Sequence, residues 1–344
     1  MTENHILKEK SIREALKRIN ELLGMTLFVV DENNVVLGTV TDGDIRRYLI
    51  NDGEISDSVE KIMSTSFTFL SESNLKIEEF SNLRNKSIRF VPLLDDKGCL
   101  VKTIDLEKQK SLLPLEAVLM AGGKGTRLRP MTLTTPKPLL EVGGKPIIEY
   151  NIDRLIEFGV RKIYISVNYL KDQLKAYFGD GSSKGIEIEY IEETEITGTL
   201  GSATYVSQYG NDQILIMNSD LLTNIDFEDL FLQHQNSSSE MTVATVPYKV
   251  SIPYGIVETK DQMVQSIIEK PTYTYYSNAG IYILNASCLS EIPQKAFYNA
   301  TDMIEKLVAE KRSVSNYPIL SYWLDIGKPI DFEKAQEDVK HIDF

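Results

Sequence analysis

Apolar residues are distributed along this chain in short blocks, and the spacing within each block predicts its element. Ala117-Val118-Leu119-Met120 is a continuous apolar run of the kind a fully buried parallel strand requires, and Gly122, Gly123 and Gly125 follow at once. Lys162–Asn168 (KIYISVN), Ile186–Ile191 and Ile214–Met217 repeat the strand pattern. Between them the spacing becomes helical. Ile152, Leu155, Ile156 and Phe158 line one face of Glu149–Gly159, and Leu170–Phe178 is closed by Gly179. Strand and helix alternate, which predicts an α/β domain with a mostly parallel sheet, helices on both faces and ligands at the carboxyl ends of the strands.

The first 110 residues carry a different pattern, repeated at one offset. Ser11–Leu16 corresponds to Leu75–Phe80 as the start of an amphipathic helix, and Leu27–Asp31 to Val91–Asp95 as a strand ending in an acidic turn, both 64 residues later. Each half reads as helix, strand, turn, strand, helix, with apolar faces that two halves could bury against each other. The sequence then turns polar and is interrupted by Pro114. This predicts a module over 1–110, a linker over 111–115 that keeps the domains in contact, and a second domain over 116–344.

Charge and composition narrow the partners. With 37 basic and 50 acidic residues the net charge is −13, which disfavours sequence-independent nucleic-acid binding and anionic membrane surfaces. No run reaches the ~20 apolar residues of a membrane span, and the N-terminus lacks a signal-peptide core, so the expected location is cytoplasmic. Cys99 and Cys288 have no metal-ligand spacing and read as reduced residues near a core; His5, His234 and His341 stand in polar contexts and read as surface residues.

Candidate chemistry gathers where the first strand of the second domain meets its glycines. Glycine there allows left-handed backbone and close approach of N–H groups to an anion, which suits a nucleotide phosphate; a tight strand-to-helix turn with exposed arginines is the competing reading. Arg127 and Arg129 add fixed charge, and Pro136 and Pro138 hold Lys137 in a set direction. The segment is neither a Walker loop nor the dinucleotide fingerprint. Asp220 ends a buried strand and could be a helix cap or a ligand-facing carboxylate; Thr41 and Asp44 in TDGD could likewise form a helix cap.

The string AGGKGTRLRPMT followed by TPKPLLEVGGKPII resembles the signature of the sugar-1-phosphate nucleotidyltransferases, and the likeness continues to the end of the chain. Thr197–Ala203 resembles that family's second glycine segment, whose small residues let base and ribose lie against backbone. Asn218-Ser219-Asp220, Pro253-Tyr254-Gly255, Glu269-Lys270-Pro271, Asn278–Tyr282 and Trp323–Gly327 resemble its later motifs. The resemblance implies a Rossmann-like fold and a nucleoside triphosphate held by Leu119, Ala121, Gly122, Gly123, Gly125, Thr126, Asn168, Gly198, Thr199 and Asn218. It implies a sugar 1-phosphate at Gly255, Glu269, Lys270 and Asn278, Mg²⁺ on Asp220 and Asp325, and Arg127, Lys137 and Lys270 as the cations that assist the reaction. The Asn168-Tyr169-Leu170 and Asn-Ser-Asp motifs resemble guanylyltransferases for mannose or related hexose 1-phosphates, with glucosamine 1-phosphate among the sugars used by relatives; a thymidylyl or uridylyl enzyme is the alternative. Val36–Arg47 resembles the cystathionine-β-synthase (CBS) motif, implying a tandem CBS (α+β) module with AMP, ADP or ATP at Thr41 and Asp44, and a homo-oligomer. The second copy has Asp105 and Lys108 at those positions, so at most one ordinary adenylate site is expected. A regulatory protein with an inactive transferase domain is the reading from another class.

Overall fold

The 64-residue repeat appears in the computed structural model as two copies of one three-stranded sheet. The structure describes residues 4–22, 26–86, 88–342 and 344, and the chain divides into two units, Met1–Ser111 and Leu112–Phe344. In the first copy β1 (His5–Leu7) pairs parallel with β2 (Leu27–Val30), which pairs antiparallel with β3 (Val36–Val40); α1 (Ile12–Glu21) and α2 (Asp42–Ile50) complete it. The second copy repeats the pairings with β4 (Leu70–Ser71), β5 (Phe90–Leu94) and β6 (Leu100–Asp105), and has α3 (Ile77–Asn85) in place of α1. The irregularity between Val29 and Val30 recurs between Leu93 and Leu94. The turns bind one another reciprocally. Val36 N–H donates to the Gly98 carbonyl at 3.0 Å and Leu100 N–H to the Asn34 carbonyl at 2.9 Å, two bonds interchanged by the same offset.

One predicted element is missing, among the described residues. The second half has no counterpart of α2: after Asp105 the chain makes a single turn, with Lys108 and Gln109 N–H on the Asp105 carbonyl. α2 is held at its start by a Thr41–Asp44 capping box; at the offset positions Lys108 has no acceptor for that role. The apolar residues that would have continued the helix are used elsewhere. Leu113 and Leu115 are buried, and Leu113 N–H bonds to the Phe158 carbonyl within the second unit.

The second unit is built on β7 (Glu116–Met120). After a short hairpin, β8 (Glu141–Val142) and β9 (Lys145–Pro146), the alternation expected from the sequence follows: α4 (Ile147–Glu157), β10 (Lys162–Val167), α5 (Lys171–Phe178), β11 (Glu187–Glu192), a four-residue α6 (Gly198–Gly201) and β12 (Gln213–Asn218). Then come β13 (Leu221–Thr223), α7 (Phe227–Ser237), β14 (Met241–Ser251), β15 (Ile256–Lys260), β16 (Met263–Ile268), β17 (Thr272–Asn285), α8 (Ala300–Ala309), β18 (Val314–Pro318), β19 (Trp323–Asp325) and α9 (Pro329–Asp338). Seven strands form one sheet in the order β11-β10-β7-β12-β17-β14-β18, and only β17 runs against the rest. Fully buried Val118, Ile214, Ile216 and Leu284 from its centre pack with Met303 and Leu307 of α8. No helix among the described residues is long and apolar enough to cross a membrane.

The histidine reading needs correction. His234 is 1% exposed, because α7 turns it inward with Leu230 and Phe231, four and three residues before it on the same face. Its Nδ1 lies 2.7 Å from Thr242 Oγ1 and its Nε2 3.4 Å from Asn285 Oδ1, and burial pushes its pKa down.

Candidate active site

The site forms along the carboxyl edge of the central strands, where register sets Ser166, Met120 and Asn218 side by side. Beyond Met120 the chain enters the glycine loop. Of its three glycines only Gly125 takes a left-handed angle, φ 58°; a Cβ there would stand 2.9 Å from Thr132 Cγ2 and 3.0 Å from Lys137 Cβ. The glycine thus lets the Lys137 turn close over the loop. Leu119 and Ala121 are buried, whereas Thr126 and Arg127 are exposed.

Asp220 follows β12, but no helix begins after it, so it is not a cap; β13 follows instead. That strand pairs antiparallel with β19, matching Leu221 with Asp325 and Thr223 with Trp323, and Ile326 N–H donates to the Asp220 carbonyl at 3.1 Å. Two acids 105 positions apart in sequence become neighbours. Lys137, 8% exposed, lies between them: its Nζ is ion-paired with Asp220 and is 4.0 Å from Asp325 Oδ1. The Arg127 guanidinium occupies space beside Gly327, where a Cβ would be 3.3 Å from it. Burial, then the Asp220 charge, raise the Asp325 pKa, while Lys137 and Arg127 oppose the rise. Two carboxylates and two cations therefore share one edge.

Residues with no obvious sequence signal hold this edge in place. Glu193, just past β11, accepts from Ser166 Oγ through Oε1 and from Thr197 N–H and Oγ1 through Oε2, at 2.9 and 2.7 Å for the latter two. Its carbonyl takes Asn168 Nδ2 at 2.8 Å, so one residue ties the glycine loop side of the sheet to the segment around Gly198. In sequence it belongs to an acidic run that reads as solvated surface. On α4 the buried Asn151 donates to the Ser219 and Leu221 carbonyls at 3.3 and 2.9 Å, fixing the backbone on both sides of Asp220. Its one signal was a polar residue on the apolar face of IIEYNIDRLIE.

The remaining predicted residues and their neighbours divide into three groups. Gly280, φ 72°, leaves room for Asn218, since a Cβ there would be 2.5 Å from Asn218 Nδ2. Asn278 Oδ1 accepts from Gly280 N–H and Tyr282 Oη, both at 2.9 Å, and Trp323 Nε1 donates to the Ala279 carbonyl at 3.0 Å. These residues and Asp325 line a cleft of about 140 Å³. By contrast Gly198 and Gly201 are needed for packing within the chain. A Cβ at Gly198 would meet the Tyr298 carbonyl at 2.8 Å, and one at Gly201 the Ala296 carbonyl at 2.3 Å; Thr199 lies between them on α6. Gly255, Glu269 and Lys270 sit at the ends of the β15–β16 hairpin and are exposed, with Glu269 within 2.8 Å of a Cβ at Gly255.

A Rossmann-like sheet whose carboxyl edge carries a glycine loop, clustered cations and an acid pair is the architecture of a domain that handles phosphorylated substrates. Comparison with known proteins gives the family: the nucleotidyl transferase model matches residues 116–341, and the chain belongs to that family. A CBS-domain model matches residues 5–51. Relatives include the mannose-1-phosphate guanylyltransferase catalytic subunit beta of Drosophila pseudoobscura pseudoobscura, 33% identical over 63% of this chain and 60% of its own length. The mannose-1-phosphate guanylyltransferase of Mycobacterium tuberculosis is 32% identical over 65% of this chain and 64% of its own. The chain thus spans about six tenths of the length of the curated relatives it matches. Among solved structures, HddC of Yersinia pseudotuberculosis in complex with GMP-PN has a TM-score of 0.50 and 25% identity, covering 65% of this chain and 99% of that one.

Proposed function

We propose that the protein joins a nucleoside monophosphate to a sugar 1-phosphate, taking a nucleoside triphosphate and releasing pyrophosphate, with GTP and a hexose 1-phosphate such as mannose or glucosamine 1-phosphate as substrates. What carries this reading is the acid pair brought together by β13 and β19 around Lys137, beside the glycine loop and Arg127. An oxygen of the sugar phosphate attacks the α-phosphorus, the bond to the oxygen bridging to the β-phosphate breaks, and pyrophosphate leaves with the electron pair. The attacking oxygen is already an anion, so no general base is needed; the difficulty is repulsion between polyanions, met by fixed cations and N–H donors. Arg127 would take the departing pyrophosphate, with Lys137 and Lys270 holding the phosphates of the reacting pair. Asp220 and Asp325 offer the hard oxygen donors that suit Mg²⁺, which binds through one or two carboxylates plus substrate phosphates. When bound there, Mg²⁺ would neutralise phosphate charge.

The preference for guanine rests on the names of the relatives and on the Asn168 and Asn218 motifs. Pyrophosphate release measured with GTP, dTTP, UTP and ATP against a panel of sugar 1-phosphates tests it: fastest turnover with GTP is expected, and faster turnover with dTTP or UTP overturns the base assignment. Loss of turnover in Asp220→Asn and Asp325→Asn, with an unchanged circular dichroism spectrum, is the expected result for the metal assignment; near-normal rates in either would overturn it.

An adenine nucleotide at the N-terminal module is a second reading, supported by a cavity of about 240 Å³ lined by Asp44, Arg47, Tyr48, Asn51 and Ile62. Thr41 and Asp44 form a complete helix cap, and Asp44 Oδ1 is 2.5 Å from an Arg47 guanidinium nitrogen, so a ribose would have to displace Arg47. Calorimetry with AMP, ADP and ATP on the intact protein and on Asp44→Asn tests it. Binding abolished by the substitution is expected, and absence of binding at millimolar nucleotide leaves the module to packing alone.

A further inference from the structure

Two of the cations assigned to the reaction, Arg127 and Lys137, ride on a segment with little regular structure of its own. Between β7 and β8 the chain makes three short 3₁₀ turns, Thr126–Leu128, Met131–Leu133 and Lys137–Leu139. Among the described residues, the backbone hydrogen bonds donated from 126–140 all end inside the same segment, at the carbonyls of Gly125, Thr126, Pro130, Pro136 and Lys137. Its apolar anchor lies near the start, where fully buried Leu128 shares a core cluster with Leu222 and Ile326. Turns closed only on themselves leave the span between the two cations little rigidity.

That span is held from outside by two side chains. Tyr169 Oη lies 3.1 Å from both the Thr132 and the Leu133 carbonyl oxygens, so its hydrogen is shared between them, and Gln173 Nε2 donates to the Thr134 carbonyl at 2.8 Å. Three successive carbonyls are thereby taken from one short stretch at the start of α5. Thr132, fully buried, passes the hold inward: its Oγ1 donates to the Gly125 carbonyl at 2.8 Å, and its methyl carbon is the nearest atom that a Cβ at Gly125 would meet. The base of the hold is firm. Tyr169 follows β10, whose Ser166 is in register with Met120 and accepts the Ala121 N–H at 2.9 Å, and Asn168 is bonded to the Glu193 carbonyl. The chain enters α5 through Leu170 at φ 52°, a left-handed angle that a residue with a branched side chain keeps only where its surroundings fix it.

Neither holding residue belongs to the apolar core, since Tyr169 is half-buried and Gln173 exposed; what they fix is backbone between two cations. We propose that Tyr169 and Gln173 are positioning residues, a latch that keeps the Arg127–Lys137 segment where the transfer needs its charges, a role that rests on the nucleotidyl-transfer reading. Lys137 has a second hold in its ion pair with Asp220, so opening the latch falls mainly on the Arg127 side. Misplacing a group that acts on the departing pyrophosphate shows in kcat rather than in KM.

The test uses the full-length chain and two readouts. Hydrogen exchange of the amides in 126–137 reports the latch without any substrate, and kcat and KM for pyrophosphate release report its use. In Tyr169→Phe combined with Gln173→Leu, exchange across that segment is expected to rise about tenfold while β7 and β10 keep their protection. The same variant should lose roughly 10- to 100-fold in kcat, with KM changed by under about threefold. Tyr169→Phe combined with Gln173→Lys returns a donor of similar reach and should recover part of both effects, which a role confined to stabilising the helix would not produce. Exchange at the wild-type rate in the Phe–Leu variant overturns the latch. Faster exchange with kcat unchanged overturns the positioning role, as does a fall in activity that matches only the folded protein lost by circular dichroism. Should wild type release no pyrophosphate with any triphosphate, the nucleotidyl-transfer reading fails and takes the positioning role with it, while exchange still decides the latch.

Discussion

Replacing Lys137 by Met keeps the aliphatic stem and removes the one charge that bridges Asp220 and Asp325. The Lys137 and Asp220 side chains are largely buried, at 10% and 24% exposure, and Asp325 is 44% exposed. Removing one partner costs about 3–5 kcal/mol for a fully buried pair and under ~1 kcal/mol for an exposed one. For two carboxylates left roughly 6 Å apart, mutual repulsion is about 3 kcal/mol at an effective dielectric of ~20 and under ~1 kcal/mol in water. The exposure of Asp325 places the outcome between these limits, at about 1–2 kcal/mol. For a unit of this size that is a fall in Tm of roughly 3–6 °C. The chain has a single tryptophan, Trp323, two residues before Asp325, so urea unfolding followed by its fluorescence reports on this edge directly. Two restorations should follow from the charge argument. Adding Asp220→Asn to Lys137→Met should return most of the lost stability, giving a coupling energy of about 1–2 kcal/mol in a double-mutant cycle. Millimolar Mg²⁺ should stabilise Lys137→Met more than it stabilises wild type. Additive single-substitution effects, or equal stabilisation by Mg²⁺, would refute the view that Lys137 is the counterion of this acid pair.

Asn151→Ala should cost about 1–3 kcal/mol, because it leaves the buried carbonyls flanking Asp220 without their donor; turnover should fall more than substrate affinity, measured as kcat against KM. Gly125→Ala must accommodate a left-handed φ and a Cβ 2.9 Å from Thr132, so a loss of about 2 kcal/mol in urea unfolding is expected. His234 is held neutral by burial, so its folded pKa lies below the usual value. The unfolded chain then takes up the proton first, and stability should decline as pH falls below about 6.5; thermal unfolding of His234→Gln should show a flatter dependence between pH 7 and 5.

Much of this architecture was readable because buried strands have a strong local signal. The runs at Ala117, Lys162, Ile186 and Ile214 became β7, β10, β11 and β12 with boundaries shifted by one residue or so, since β7, β10 and β12 are apolar on nearly every position and β11 keeps the two-residue alternation of an edge strand. The adjacency of Asp220 and Asp325 was not readable from spacing. It depends on the short β13–β19 ribbon, a pairing between segments a hundred residues apart that no local pattern encodes. Glu193 was hidden for a similar reason: an acid among acids looks solvated until the loops around Ser166 and Thr197 close on it. His234 was misread because flanking polar residues were given more weight than its helical phase with Leu230 and Phe231. The lost second-repeat helix had a visible cause in Lys108 and Pro114, yet the repeat itself suggested a full copy.

The reciprocal bonds between the Asn34 and Gly98 turns bear on the order in which the N-terminal module is made. The first turn finds its partner only when residues 98 to 100 have emerged from the ribosome, 64 positions later. At roughly 5–20 residues per second the first repeat would wait on the order of 3–13 s with the tip of its sheet uncovered. A nascent chain arrested before residue 98 should therefore be more open to proteolysis around Asp31–Val36 than one arrested after the second turn is free of the exit tunnel.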